Sequence, residues 1–240
     1  MGAPDVLAPL VAEAVHGLIG TLLPLILGLT ALTMGLMPMF KGKLGEAGVS
    51  LRLRRLGFPT RSNLILSATD GTLTQIDHVV LTAQGVLAIE TKNYQGLVFA
   101  DARDRQWTQV IGRQRNRFQN PLRQNFKHTE ALRALAGAPV MGLVVFVGAA
   151  RFPKGLPGGV VTLREFDRHL LGLGVPSPTE ALGPMWQRII EVADRSGSLQ
   201  AAHTQGIQVR FGRDRRVVVA WACAIAAAVL FTYLHLGGSR

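Results

Sequence analysis

The chain has 240 residues, of which 48% are apolar and 17% charged, and a formal net charge of +11. That length holds one domain of ordinary size and something besides. The single cysteine, Cys223, excludes an internal disulfide, and the six histidines (16, 78, 128, 169, 203 and 235) form no Cys/His cluster with zinc spacing. There is no Walker-type phosphate loop and no internal repeat, so neither ATP hydrolysis nor a nucleotide cofactor is expected.

Residues 1–16 form a short N-terminus whose only charges are Asp5 and Glu13. Residues 17–40 follow, 24 positions without Asp, Glu, Lys or Arg. A run of that length crosses a hydrocarbon core of about 30 Å, and Pro24 and Pro38 are tolerated in a membrane helix when neighbours satisfy the freed backbone. A cleaved signal peptide fits less well, because no basic n-region precedes the run. Residues 217–236 are a second uncharged run, of 20 positions, with Trp221 and Tyr233 near its two ends. A buried helix of the central domain is the alternative there, and Cys223 within it reads as a small apolar residue.

Every Lys and Arg except Arg240 lies between the two runs, as does every acid except Asp5 and Glu13, which gives the central segment a surplus of +12 (25 against 13). Lys41 and Lys43 follow the first run, and Arg210, Arg213, Arg215 and Arg216 precede the second. Basic flanks stay cytoplasmic. The sequence therefore predicts a multi-pass protein of the bacterial inner (cytoplasmic) membrane, with the lipid bilayer as partner and residues 41–216 in the cytoplasm. The basic surplus suits nucleic-acid phosphate and anionic lipid equally.

Within the centre, a helix is expected near Gly45, followed by Arg52, Arg54 and Arg55, and a first strand at 63–67. Thr74 to Gly96 then reads as a β-hairpin, with two apolar runs flanking Ala83-Gln84-Gly85. Asp77, Glu90 and Lys92 lie inside those runs, and charges are rarely buried without a partner or a metal. A tight loop at 83–85 places Asp77 opposite position 91, within about 5–8 Å of neighbours that share its face. Glu90 and Lys92 point to one side of their strand. Two carboxylates and an ammonium converging on one spot suit Mg²⁺, with the lysine orienting or deprotonating a water. A plain salt bridge between Lys92 and one acid is the alternative.

Residues 97–100 read as a further strand, and 101–117 as a polar, basic segment whose Trp107 packs a strand edge on the hairpin. Arg113, Arg115 and Arg117 alternate; in an extended segment they project from one face and could grip a phosphate backbone, or form a solvated face. Asn120 and Pro121 read as the cap and first residue of a helix. Its apolar positions are Leu122, Phe126, Thr129, Leu132 and Leu135, while Gln124 and His128 share another face. His128 reads as a helix-surface residue able to meet phosphate. Residues 140–147 form a continuous apolar run, a buried parallel strand reached by that helix. A short strand at 160–163 and helices at 166–173 and 184–195 complete an α/β arrangement.

The core Asp77…Glu90-Thr91-Lys92 resembles the D…(D/E)-x-K pattern of restriction-endonuclease-like nucleases. The string TQIDHVVLTAQGVLAIETKNYQG, then Trp107, then NPLRQNFKHTEAL, with Gly45-Glu46 ahead, is similar to the nuclease-related domain, the NERD family, over residues 43–150. The resemblance implies an α/β fold, a restriction-endonuclease-like mixed sheet flanked by helices, here with N- and C-terminal transmembrane helices added. It implies phosphodiester hydrolysis with Mg²⁺ or Mn²⁺ held by Asp77 and Glu90, Lys92 at the water, and Gln124, matched through N-P-x-x-Q, beside the metal. Glu46 is a weaker candidate, since an acid on the first helix contributes to the site in related folds. DNA is the expected partner, with a non-catalytic, membrane-tethered nucleic-acid-binding or scaffold protein as the alternative, and because many relatives of this fold cut duplexes as dimers, a homodimer stays open. The expected domains are 1–16, a span at 17–40, a nuclease-like core at 41–150, an α/β extension at 151–216, a span at 217–236 and a tail at 237–240.

Overall fold

The structure is a computed structural model that describes residues 7–68, 70–181, 183–196 and 215–236. The expected tail at 237–240, residues 1–6, and the part of the extension that holds Arg210 and Arg213 lie outside the described residues. The chain divides into two compact units, Met1–Lys41 with Phe211–Arg240, and Gly42–Arg210.

The first unit is a helical hairpin. Helix α1 (Leu7–Ala31) runs into a π-helical turn (Leu32–Leu36) and packs along helix α7 (Arg215–Leu236). Gly35 lies against Ala220 so closely that a Cβ at position 35 would overlap it. The two expected membrane spans are corrected here. The run 17–40 is divided among α1, which starts at Leu7 and includes Glu13, the π-helical turn, and the start of α2 (Met37–Arg55), which ends in Arg52, Arg54 and Arg55. The second run lies within α7, which begins with the charged pair Arg215 and Arg216. Among the described residues no helix is long and apolar enough to cross a membrane. This overturns the transmembrane helices and the inner-membrane location.

The second unit holds two sheets. The larger is built from β1 (Thr60–Ser67), β2 (Leu73–Thr82), β3 (Gly85–Lys92), β7 (Val140–Phe146) and β9 (Val160–Thr162), in the order β1-β2-β3-β7-β9. β1, β2 and β3 are antiparallel neighbours, while β7 lies parallel to β3 and β9 parallel to β7. The hairpin register runs from Thr82↔Gly85 to His78↔Ile89, one residue tighter than the sequence suggested. Gly85 itself pairs in the ladder with φ 116°, a left-handed backbone that suits glycine, so the loop is Ala83-Gln84. Between β1 and β2 the ladder skips Asn63 and Asp77, and Asn63 has φ 57°. Asparagine tolerates that region better than most residues.

Helix α3 (Pro121–Ala136) covers one face. Asn120 caps it, its side chain accepting from the Leu122 amide, and Pro121 is the first helical residue. The same Asn120 amide donates to the carbonyls of Ala102 and Asp104. The stripe that α3 buries is Asn125, His128, Thr129, Leu132 and Ala136, and Phe126, expected to face inward, is 64% exposed. Asn125 takes the inward place because its amide bridges two strands, donating to Ala88 of β3 and Leu143 of β7. Helix α6 (Pro184–Ser196) joins this layer through Trp186 and Ile189, packed with Leu64, Ile76, Val79 and Leu132. On the other face α2 and α4 (Leu163–Leu173) bury Val49, Leu53, Phe166 and Leu170 against Val80, Leu87 and Ile89. Thr162 and Glu165 form a capping box at the start of α4. A short helix, α5 (Pro178–Ala181), links α4 to α6.

The smaller sheet is the main addition to the expected fold. Its strands are β4 (Gly96–Phe99), β5 (Gln106–Ile111), β6 (Gln114–Gln119) and β8 (Ala150–Arg151), in the order β6-β5-β4-β8. Trp107 packs here, 1% exposed, stacked with Phe146 at 6.2 Å between ring centroids, so its neighbour is β7 and not the β2–β3 hairpin. Val98, Val144 and Val160 complete that third apolar cluster.

Gly148 lies where the chain leaves β7. A Cβ there would overlap the Tyr94 carbonyl oxygen and approach Asn93 Oδ1 to 2.7 Å. A backbone oxygen cannot swing aside as a flexible side-chain tip can. Gly148→Ala should therefore lower stability by about 1–3 kcal/mol, read from the urea midpoint; an unchanged midpoint would show that the two backbones can separate freely.

Candidate active site

Glu90 is the centre of a buried polar group. Its position near the end of β3 puts it between the neighbouring strands, and it is 2% exposed. Lys92 Nζ lies 2.6 Å from Glu90 Oε1 and donates to Gln124 Oε1 at 3.0 Å. His128 Nε2 lies 3.0 Å from Glu90 Oε2. A carboxylate only accepts, so Nε2 carries the hydrogen and donates; in the neutral ring Nδ1 then accepts from the Thr74 hydroxyl, 2.8 Å away. The i, i+4 spacing of Gln124 and His128 thus aims both side chains of α3 at the E-x-K strand.

Asp77 joins this group from β2. The skipped ladder position frees it from regular pairing, and its Oδ2 accepts from the Thr91 amide at 2.8 Å. Burial and the Glu90 charge raise the Asp77 pKa to about 8, against the pull of the Thr91 hydrogen bond. Glu90 moves the other way: burial pushes its pKa up, and His128 and Lys92 together outweigh that and hold it below the usual value. Two like charges this close do not both ionise readily. That repulsion, added to burial, falls on the Asp77 side of the pair and favours its protonated form.

Burial opposes the charge on Lys92, and the Glu90 carboxylate more than offsets it, so the Lys92 pKa is raised. Lys92 is therefore an ammonium at neutral pH, a donor and not a base. Glu46, on α2, is half-buried, and its pKa is raised by burial and then by Glu90. Gly45 permits that approach: a Cβ at 45 would come to 2.7 Å from Val147 Cγ2 and 3.5 Å from Asn93 Cβ, at the ends of β7 and β3.

The structure thus brings together Asp77, Glu90, Lys92, Gln124 and His128, with Glu46 in electrostatic range. His128 differs from its expected place. It is 3% exposed and holds Glu90, so it presents no surface to phosphate. Arg115 and Arg117 are exposed on β6, and Arg113 lies in the β5–β6 turn, all on the smaller sheet and apart from this acid group. Thr74 and His78 also take part in polar contacts around the hairpin. Thr74 stands in the hairpin string four positions before His78, but only the α3 contact gives it a role. His78 is 1% exposed and turns to the α2 side, its Nδ1 2.9 Å from Ser62 Oγ and 3.5 Å from Ser50 Oγ. Burial lowers its pKa to about 4, so the ring is neutral near pH 7. A separate cavity of about 470 Å³ beside α4, lined by Glu165, Arg168 and His169, lies away from the acid pair.

Residues 41–147 match the NERD family, the nuclease-related domain. That match covers β1 to β7, and with it Glu46 and every residue of the Glu90 group, and it points to a nuclease-like function. An uncharacterized protein of Bacillus anthracis is 40% identical over 98 residues, which is 40% of this chain and 46% of that protein. The chain thus spans less than half the length of the curated relative it matches. No solved structure matches the chain. The strands β4, β5 and β6, which separate Lys92 from Gln124 in sequence, lie within the NERD match.

Proposed function

We propose that the second unit is a divalent-cation-dependent nuclease that hydrolyses phosphodiester bonds, with DNA as its substrate. The observation that carries this reading is the buried Glu90 held by Lys92 Nζ at 2.6 Å and His128 Nε2 at 3.0 Å, with Asp77 turned into the same group by its bond from the Thr91 amide. The donor set fits a hard cation. Mg²⁺ keeps several waters and takes only one or two carboxylates, and a cation here would relieve the repulsion that keeps Asp77 protonated. Asp77 and Glu90 would hold Mg²⁺ or Mn²⁺, with Glu46 as a further carboxylate. The bound ion would supply stabilisation of charge on phosphate oxygens and acidify a water.

The chain's own groups do the rest. Lys92 donates to the attacking water or to a phosphate oxygen, and Gln124 Oε1, accepting from Nζ at 3.0 Å, fixes the direction of that ammonium. His128 fixes Glu90 through Oε2. Asp77 would hold the cation as a carboxylate, its proton released to solvent. Arg113, Arg115 and Arg117 would meet the backbone of the nucleic acid outside the reacting centre.

A second reading makes the unit a nucleic-acid-binding module that does not cut. It is favoured by the engagement of both Glu90 oxygens and by the absence, among the described residues, of a cluster of three His, Cys, Asp or Glu side chains that could hold a metal. The full chain should be incubated with linear, circular and single-stranded DNA and with RNA, in Mg²⁺, Mn²⁺ or EDTA, beside Glu90→Gln. Cutting that needs the cation and is lost in Glu90→Gln is expected. Binding without cutting in every condition would select the second reading.

A further inference from the structure

On the α2 side of the larger sheet, a cavity of about 320 Å³ is lined by Ser50, Arg54, Phe58, Thr60, Arg61 and Ser62. It opens between α2 and the edge strand β1. Arg54 and Arg61 form no ion pair with a carboxylate among the described residues, whereas Arg52 on the same helix pairs with Asp167 at 2.8 Å. Two uncompensated guanidinia in one concave site favour an anion. Phe58, 4% exposed, closes the apolar side of the cavity.

The two serines add donors, and His78 decides how they are oriented. His78 Nε2 is buried and finds no hydrogen-bond partner among the described residues. An orphaned N–H is rarer in folded proteins than an under-satisfied acceptor. The tautomer with hydrogen on Nδ1 leaves only a lone pair unmet at Nε2 and lets Nδ1 donate to Ser62 Oγ, 2.9 Å away. The Ser62 hydroxyl hydrogen is then free to turn into the cavity, and Ser50, 3.4 Å from Ser62, is placed to do the same.

We propose that this cavity binds a phosphate group through Arg54, Arg61, Ser50 and Ser62, and that the phosphate belongs to the nucleic-acid strand being cut. The second part rests on the nuclease reading; the first does not. Position supports the link. Ser50 follows Glu46 by about one helical turn, roughly 6 Å along the axis, on the helix that brings Glu46 within electrostatic range of Glu90. A phosphate seated there would fix the strand beside the acid pair. Carboxylates are absent from its lining, unlike the cavity beside α4, which contains Glu165.

The test uses the full chain and inorganic phosphate as probe, followed by ³¹P line broadening and by thermal stabilisation against chloride at equal ionic strength. Saturable broadening, with a melting shift that chloride does not give, is expected. Arg54→Ala and Arg61→Ala should each weaken phosphate binding about tenfold or more, without lowering the melting temperature measured in chloride. Ser62→Ala should weaken it less. A short oligonucleotide should displace the phosphate, and both arginine variants should raise KM for DNA with kcat nearly unchanged. Equal effects of phosphate and chloride, or undiminished binding in the arginine variants, would overturn the pocket. Displacement by phosphatidic acid vesicles and not by oligonucleotide would assign the site to lipid headgroups and overturn the nucleic-acid assignment. Phosphate binding with no cutting under any condition would leave the pocket standing and remove the nuclease reading alone.

Discussion

Lys92→Met should abolish most cation-dependent cutting and also weaken the fold. Methionine keeps an apolar stem of similar length, so the lost element is the ammonium. Removing it strips Glu90, 2% exposed, of its 2.6 Å partner and leaves His128 as the remaining side-chain donor. Breaking a buried pair from one side costs about 3–5 kcal/mol, and the surviving His128 bond places the expected loss at the lower end. The loss of a donor aimed at the water or phosphate should lower kcat about 10²–10⁴-fold. Urea unfolding monitors the first effect, and a fluorescent DNA substrate in Mg²⁺ the second. A variant that folds with wild-type stability would refute the buried pair. One that cuts at the wild-type rate would refute the role of Lys92 while leaving the pair intact.

Asp77→Asn should make the protein more stable in alkaline solution and nearly unchanged in acid. The folded state raises the Asp77 pKa from 3.8 to about 8. Between those values the folded chain binds a proton that the unfolded chain has released, so wild-type stability falls as pH rises through that window and levels off above it. Asparagine keeps an acceptor for the Thr91 amide and carries no charge to repel Glu90. At pH 8.5 without divalent cation, Asp77→Asn should gain about 1–3 kcal/mol, a figure below the full linkage value because a folded chain can relax or admit water around an ionised Asp77. At pH 3, below the 3.8 of the unfolded chain, the two proteins should unfold together. Mg²⁺ should stabilise the wild type at pH 8.5 and not the variant. Parallel stability–pH curves for the two would sink the claim that Asp77 carries the extra proton.

Much of the site could be read from residue order because strand and helix periodicity fix directions. Glu90 and Lys92 share a strand face, and Gln124 and His128 share a helix face, so each pair needed only one further fact, that α3 lies over β3. The 140–147 run supplied it, since a buried parallel strand needs a covering crossover. What periodicity could not supply was the inside or outside choice on α3. Phe126 is the more apolar residue, yet Asn125 is buried, because its amide meets two strand carbonyls that Phe126 could not satisfy. The same competition hid His128, a polar residue buried because Glu90 and Thr74 occupy both ring nitrogens. Of the smaller sheet, β4 and the Trp107 edge of β5 are legible in the sequence, but β6 is not, because its pattern Gln-Arg-Asn-Arg-Phe-Gln offers scarcely any apolar alternation. The terminal runs misled through composition: an uncharged run carries no mark of where a helix will start or turn π-helical.

The edges of the two sheets bear on how copies of this chain can meet. β6, the outermost strand of the smaller sheet, carries exposed Arg115 and Arg117, which repel an identical edge. β1, at one edge of the larger sheet, carries Arg61 and is broken by the left-handed backbone at Asn63. The remaining edges, β8 and β9, are two and three residues long. Among the described residues, charge on β6, the break at Asn63 on β1 and the shortness of β8 and β9 all work against continuing either sheet from one copy into the next. Helix and loop surfaces are the places where copies could meet without that opposition.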